Sequence, residues 1–171
     1  GDVIQLYAET YTEGKVIRIG VREDGFSNWE DVTISGAVDK TGAPASVIDG
    51  ENIYPVMQVL NPSTGIHIEN VVLQNGYVSS KGGGLKTTAW ELTMTNCTLR
   101  NNSAGSKGGG MCIDSNNASV TLTDCIFLAN EILSDSVYGG GGLYSISKKE
   151  WVLNNCTFTE NTAGAGGGIN I

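Results

Sequence analysis

The stretch Glu150–Ile171, EWVLNNCTFTENTAGAGGGINI, decides the fold, because earlier parts of the chain repeat it. Leu92–Ile113 reads LTMTNCTLRNNSAGSKGGGMCI, Val120–Ser145 reads VTLTDCIFLANEILSDSVYGGGGLYS, and Ile66–Thr87 reads IHIENVVLQNGYVSSKGGGLKT. Asn70, Asn96, Asp124 and Asn155 fall at one position, 26, 28 and 31 residues apart. Val71, Cys97, Cys125 and Cys156 follow them, and two residues on come Leu73, Leu99, Phe127 and Phe158. Then come Gly76, Asn102, Asn130 and Asn161, a variable loop, and a glycine run that leads into Leu85, Met111, Leu143 or Ile169. Self-similarity at such a period marks a repeat architecture.

Each repeat is three short runs of alternating apolar and polar residues, which is strand periodicity. The inward columns are Ile66/Leu92/Val120/Trp151, Ile68/Met94/Leu122/Leu153, Val71/Cys97/Cys125/Cys156, Leu73/Leu99/Phe127/Phe158 and Leu85/Met111/Leu143/Ile169. Threonines such as Thr93, Thr95, Thr121 and Thr157 suit the solvated face. The alternation slips once, at Asn70/Asn96/Asp124/Asn155, where a bend would keep both flanking runs pointed inward. These four residues and Cys97, Cys125 and Cys156 are expected to form ladders along the stack. Gly and Asn both tolerate positive φ, so the Gly76/Asn102/Asn130/Asn161 column is expected to be a left-handed bend.

No single repeat buries its own inner face, whereas stacked repeats do, with strands about 4.8 Å apart. The expected fold is therefore all-β: a single-stranded parallel β-helix of about six rungs, with three strands per rung, and right-handed as the known natural form with this coil length usually is. Residues 1–171 are expected to form one domain, with residues 62–171 as regular coils and residues 1–61 as less regular rungs. In that first part DVIQLY (Asp2–Tyr7), KVIRIG (Lys15–Gly20), VTISG (Val32–Gly36), SVIDG (Ser46–Gly50) and VMQVL (Val56–Leu60) read as strands. The acidic loop Val21–Asp31, with Phe26 and Trp29, is expected to fold over the upper end or one side of the helix. The chain stops in a strand at Ile171, so either a longer β-helix or a second stacked chain is expected to cover that rung.

Net charge is −8 and the sequence pI is about 4.5, which excludes nucleic acid as an expected partner. No apolar run reaches the roughly 18 residues of a membrane-spanning helix. The stacked cysteines read as small hydrophobes, and Cys112, between Met111 and Ile113, is expected to point outward. Without a CxxC pair, and with His67 the single histidine, no metal site or cofactor is expected.

Two motifs carry a resemblance. FLAN (Phe127–Asn130) and FTEN (Phe158–Asn161) match FxxN, and GGGL, GGGM, GGGL and GGGI end at Leu85, Met111, Leu143 and Ile169. Together they resemble the repeats of the polymorphic outer-membrane protein family of surface adhesins, and more broadly the right-handed β-helix proteins of the pectate-lyase-like superfamily. That resemblance implies a secreted or cell-surface location and adhesion rather than chemistry.

An enzyme of the superfamily's polysaccharide-acting kind would need paired carboxylates, or a base beside acids. Asp114, Asp124, Glu131, Asp135 and Glu160 fall in loops or turns of different rungs, and no outward column repeats an acid. Lys81, Lys86, Arg100, Lys107, Lys148 and Lys149 read as scattered surface charges. No glycine run has the Lys-Ser/Thr ending or the strand–helix setting of a phosphate loop. Asn96, Asn101, Asn117 and Asn155 open glycosylation sequons, with a ladder role competing at Asn96 and Asn155.

Tyr144 shares an outward column with Lys86, Cys112 and Asn170, and Tyr138 precedes it in the longest loop. These two tyrosines are the candidate glycan or partner contacts. The expected role is a non-enzymatic stalk or adhesin module that presents loops to a glycan or a surface protein. The alternatives are a fragment of a lyase- or glycosidase-type β-helix and a subunit that self-associates end to end into a fibre.

Overall fold

In a computed structural model of the chain, residues 1–12, 14–20, 29–60, 63–134 and 139–171 are described. Tyr138 and residues 21–28 of the acidic loop, Phe26 among them, lie outside the described residues.

The fold is a right-handed parallel β-helix. The first rung is β1 (Val3–Gln5), β2 (Thr10–Thr12) and β3 (Ile17–Ile19). The second is β4 (Thr33–Ser35), β5 (Ser46–Asp49) and β6 (Met57–Val59). The third is β7 (Ile66–Glu69), β8 (Val71–Gln74), β9 (Tyr77–Val78) and β10 (Leu85–Thr87). The fourth is β11 (Glu91–Thr95), β12 (Thr98–Arg100), β13 (Ser103–Ala104) and β14 (Met111–Ile113). The fifth is β15 (Ser119–Thr123), β16 (Ile126–Leu128), β17 (Glu131–Ile132) and β18 (Leu143–Ser145). The sixth is β19 (Trp151–Asn154), β20 (Thr157–Thr159) and β21 (Ile169–Asn170).

Among the described residues, the strands stack into three six-stranded sheets, β1-β4-β7-β11-β15-β19, β2-β5-β8-β12-β16-β20 and β3-β6-β10-β14-β18-β21. A fourth, three-stranded sheet of β9, β13 and β17 closes the corner ahead of the glycine runs. It was not expected, because a two-residue strand is too short to show alternation. Thr10–Thr12 is likewise a strand that the sequence pattern did not reveal.

The repeat alignment is the pairing register. Leu85 pairs with Met111, Met111 with Leu143 and Leu143 with Ile169. Leu73, Leu99, Phe127 and Phe158 pair in the same way. Inward residues such as Leu73, Leu99, Met94, Leu122 and Phe127 are fully buried, each contributing about 1.5–3 kcal/mol by leaving water. Phe127 and Phe158 stack with centroids 4.6 Å apart and planes 7° from parallel.

Two corners set the rung shape. At the first, Asn70, Asn96, Asp124 and Asn155 have φ of 58°, 50°, 54° and 49°, the left-handed bend that the slip in alternation requires. Here the Asn96 amide donates to Asn70 Oδ1 at 2.8 Å and the Asn155 amide to Asp124 Oδ1 at 2.6 Å. The following thiols reach back to the bend. Cys97, Cys125 and Cys156 donate to the carbonyls of Thr95, Thr123 and Asn154 at 3.3, 3.3 and 3.4 Å. All four cysteines are unbridged.

At the second corner the expected left-handed column is displaced by one residue. Asn75, Asn101, Ala129 and Glu160 carry the positive φ, not Gly76, Asn102, Asn130 and Asn161. The asparagines that follow are instead amide rungs of a buried ladder. Asn130 Oδ1 accepts from the Asn102 amide, Asn161 Oδ1 from the Asn130 amide, and Asn102 Oδ1 from the backbone N–H of Gly76. Each side-chain NH2 also donates to a carbonyl of the preceding coil, Leu73, Leu99 or Phe127. Asn serves there for its paired donor and acceptor rather than for its tolerance of positive φ.

Candidate functional site

The glycine runs bring together side chains that lie far apart in sequence. Gly82, Gly108 and Gly140 have φ of +74°, +61° and +82°, and each folds back over the outer side of the strand that follows it. A Cβ at Gly108 would overlap the Met111 carbonyl, and one at Gly82 would come within 2.8 Å of Lys86 Cβ. Only glycine lets the turn lie that close. The turns therefore deliver Lys81 and Lys107, the residues just before two of them, alongside the outer column of the third sheet. Lys81 and Lys107 are themselves bridge partners on adjacent rungs.

That outer column is Arg18, Gln58, Lys86, Cys112, Tyr144 and Asn170 in register. The Lys81 ammonium pairs with Asp114 Oδ1 at 2.8 Å, and Lys86 stands 3.4 Å from Asp114 Oδ2. Lys107 donates to the Tyr144 hydroxyl at 2.8 Å and lies 4.4 Å from the ring centroid. At the other end Arg18 donates to Gln58 Oε1 at 3.2 Å. The lysines Lys81, Lys86 and Lys107 are thus not scattered, as the linear sequence suggested, but converge. Arg100 is elsewhere, on the second sheet, donating to Gln74 at 2.8 Å.

The electrostatics follow from this grouping. Burial acts to raise the Asp114 carboxyl, but the Lys81 hydrogen bond and the charges of Lys81 and Lys86 outweigh it and hold the group below its ordinary range. The hydrogen bond to Asp114 raises the Lys81 ammonium in turn, against a smaller opposing effect of burial. Cys112 lies on the outer side, as the alternation requires, yet it is fully buried under this cluster. Burial first, and then the Asp114 charge, push its thiol up to about 12, with the three lysines partly offsetting them.

Tyr144 is 7% exposed, so its ring is a support for Lys107 rather than an open stacking platform. Tyr54 and Tyr77, which the sequence pattern did not single out, are 37% and 39% exposed on successive rungs. Nothing in the alternation distinguishes a tyrosine that stays in water from one that is covered.

No protein-family model matches this chain, and no curated protein or solved structure matches it. Among the described residues, no group of three or more His, Cys, Asp or Glu side chains is placed to hold a metal ion. No helix of the described residues is long and apolar enough to cross a membrane.

Proposed function

We propose that this β-helix is a non-enzymatic binding module of the cell exterior, which displays side chains on its outer faces to a glycan partner. The observation that carries this reading is the use of the coil. The repeated residues build a rigid core, while chemistry-bearing side chains gather on one outer face, around Lys81, Lys86, Lys107, Asp114 and Tyr144. Those groups are tied to each other as ion pairs and hydrogen bonds. Asp114 sits between two lysines, an arrangement that favours holding a ligand over moving a proton. The extracellular setting rests on the resemblance of the GGG-apolar and FxxN repeats to surface adhesins.

A glycan-binding screen of the full chain, run beside lyase and hydrolase assays on the glycans retained, tests the reading. Retention without turnover supports it; turnover would make the chain a polysaccharide-acting domain instead. Light scattering across a concentration series in the same buffer checks for self-association through the rung of β19, β20 and β21. Concentration-dependent filaments would favour the fibre-subunit role.

A further inference from the structure

We infer that Asn117 is the acceptor of an N-linked glycan, the one of the chain's four sequons that the fold leaves open to modification, and that the attached sugar lies against Trp90. The inference does not depend on which partner the outer faces bind.

The fold uses the other three sequon asparagines at its corners. Asn96, Asn101 and Asn155 have φ of 50°, 54° and 49°. Asn96 Nδ2 donates to Asn70 Oδ1 at 2.8 Å and to Gly42 O at 2.9 Å, so both its protons are engaged. Asn155 Nδ2 is held by Asp124 Oδ1 at 2.6 Å. Asn101 is one of the two residues that join β12 to β13, and the other, Asn102, is locked into the buried amide ladder. A transferase must take the asparagine and the two residues after it into its cleft, and these corners have no slack to give.

Asn117 stands differently. The connector from the third sheet to the first holds three residues, 88–90, between β10 and β11, but five, 114–118, between β14 and β15. The extra length is taken up in a turn at Asn116 and Asn117, both exposed. The backbone of the turn is anchored: the Asn117 N–H donates to Ser115 Oγ at 3.3 Å, and Asn116 O accepts from the Lys148 N–H at 3.1 Å. Among the described residues the Asn117 side-chain amide has no hydrogen-bond partner. Ser119, which supplies the sequon hydroxyl, is exposed, and its one bond, to Glu150 O, is 3.3 Å long. An Asn-x-Ser sequence on a surface turn is the form that acceptor sites take.

The neighbouring rung supplies the second observation. Trp90 is 53% exposed, and its carbonyl accepts the Ser119 N–H at 2.9 Å. One rung spacing of about 4.8 Å and two residues of chain, at most about 7 Å, separate it from Asn117. A sugar on the Asn117 amide therefore reaches the indole, and laying its C–H face there takes apolar surface out of water.

The reaction is a glycosyl transfer from a sugar activated as a diphosphate, on a lipid or on a nucleotide. Asn117 Nδ2 attacks the anomeric carbon and the C–N bond forms. The bond from that carbon to the phosphate oxygen breaks, the diphosphate leaves with the electron pair, and the amide gives one proton to the transferase.

The experiment offers the folded full chain to two enzymes: an oligosaccharyltransferase with a lipid-diphosphate oligosaccharide, and a soluble N-glycosyltransferase with a nucleotide-diphosphate hexose. Peptide mass mapping locates the product, and the two arms tell the donor types apart. The variants are Asn117→Gln, Ser119→Ala, Ser119→Thr and Trp90→Ser, each checked for an unchanged melting curve before reaction. Modification is expected at Asn117, with Asn96, Asn101 and Asn155 bare. It should be lost in Asn117→Gln and Ser119→Ala and kept in Ser119→Thr. The glycan should raise Tm by about 2–4 °C, and that gain should vanish in Trp90→Ser. No modification by either enzyme, or modification at the other three sequons as readily as at Asn117, overturns the acceptor site. A gain in Tm that survives Trp90→Ser, or no gain at all, overturns the seat on the indole. None of these results bears on the glycan-binding reading, which its own screen decides.

Discussion

The side-chain oxygen of Asn130 accepts two hydrogen bonds from one residue: the backbone N–H of Asn102 at 3.1 Å and its amide at 3.0 Å. The Asn130 amide itself donates to Leu99 O at 2.8 Å and to Asn161 Oδ1 at 2.9 Å. Three buried groups and the half-buried Asn161 oxygen therefore bond to this side chain, although the Asn102 amide keeps Leu73 O and the Asn161 oxygen keeps the Asn130 backbone N–H as further partners. Each buried polar group left without a partner costs about 1–3 kcal/mol. Asn130→Ala is expected to destabilise the fold by about 2–4 kcal/mol, since the Asn102 backbone N–H loses its side-chain acceptor and the other groups lose one bond each. Urea titration should show a lower midpoint with an unchanged slope.

Ala129 immediately precedes that asparagine with φ of 51°, a conformation disfavoured for most residues by about 1–2 kcal/mol. Asn75 and Asn101 occupy the same corner on earlier rungs. Ala129→Asn is expected to stabilise the protein by up to about 1 kcal/mol, raising Tm by about 2–4 °C for a chain of this size. A fall in Tm would mean that the corner is held by something other than local backbone preference.

Gly108 and Gly42 separate strain from crowding. Both have positive φ, +61° and +85°, but a Cβ at Gly42 meets nothing within 4 Å, whereas one at Gly108 overlaps the Met111 carbonyl. Gly42→Ala should cost about 1–2 kcal/mol, the backbone term alone. Gly108→Ala should cost clearly more, and should also loosen the turn that carries Lys107. Paired denaturation curves of the two variants check the difference.

The Asp114–Lys81 pair gives stability a pH window. The folded carboxyl lies below its ordinary value of 3.8, so its contribution is present above about that pH and fades as pH falls through the lower folded value. The folded ammonium lies above its ordinary 10.5, so its contribution holds below that pH and fades as pH rises through the higher folded value. The difference in Tm between the wild type and Asp114→Asn should stay level from about pH 5 to 9 and shrink below pH 4.

The thiols should react in an order set by cover. Cys97, Cys112 and Cys125 are buried, while Cys156 is half-buried, with burial raising its thiol. At pH 8 an alkylating reagent is expected to label Cys156 first and slowly. Cys112, pushed up to about 12, should be labelled only as the protein unfolds. Mass spectrometry of the labelled peptides gives the order directly, and early labelling of Cys112 would show that the lysine cover opens.

The rungs were legible because burial repeats. Leu73, Leu99 and Phe127 must all be apolar, and their alignment gave the register without any structure. The second corner was misread by one residue because Ala129 and Glu160 occupy a left-handed position that neither prefers, so composition carried no signal there. The lysine cluster was hidden for a different reason. Lys81 is 33 residues from Asp114, and Lys107 is 37 from Tyr144. Their meeting depends on how far each glycine turn folds back, which alternation does not encode. The cover over Tyr144 was hidden in the same way.

The spacing of the coils has a consequence for how such a chain changes over generations. Between the fourth and fifth rungs the segment joining the short corner strand to the third sheet lengthens, from Ala104–Met111 to Ile132–Leu143, yet Met111 and Leu143 remain partners. The longer segment leaves the register above and below unchanged. Insertion there, or duplication of a whole coil, is therefore nearly neutral for the core. The scaffold can acquire new surface by copying and by loop growth, and selection on what the outer face holds can proceed with little penalty in folding.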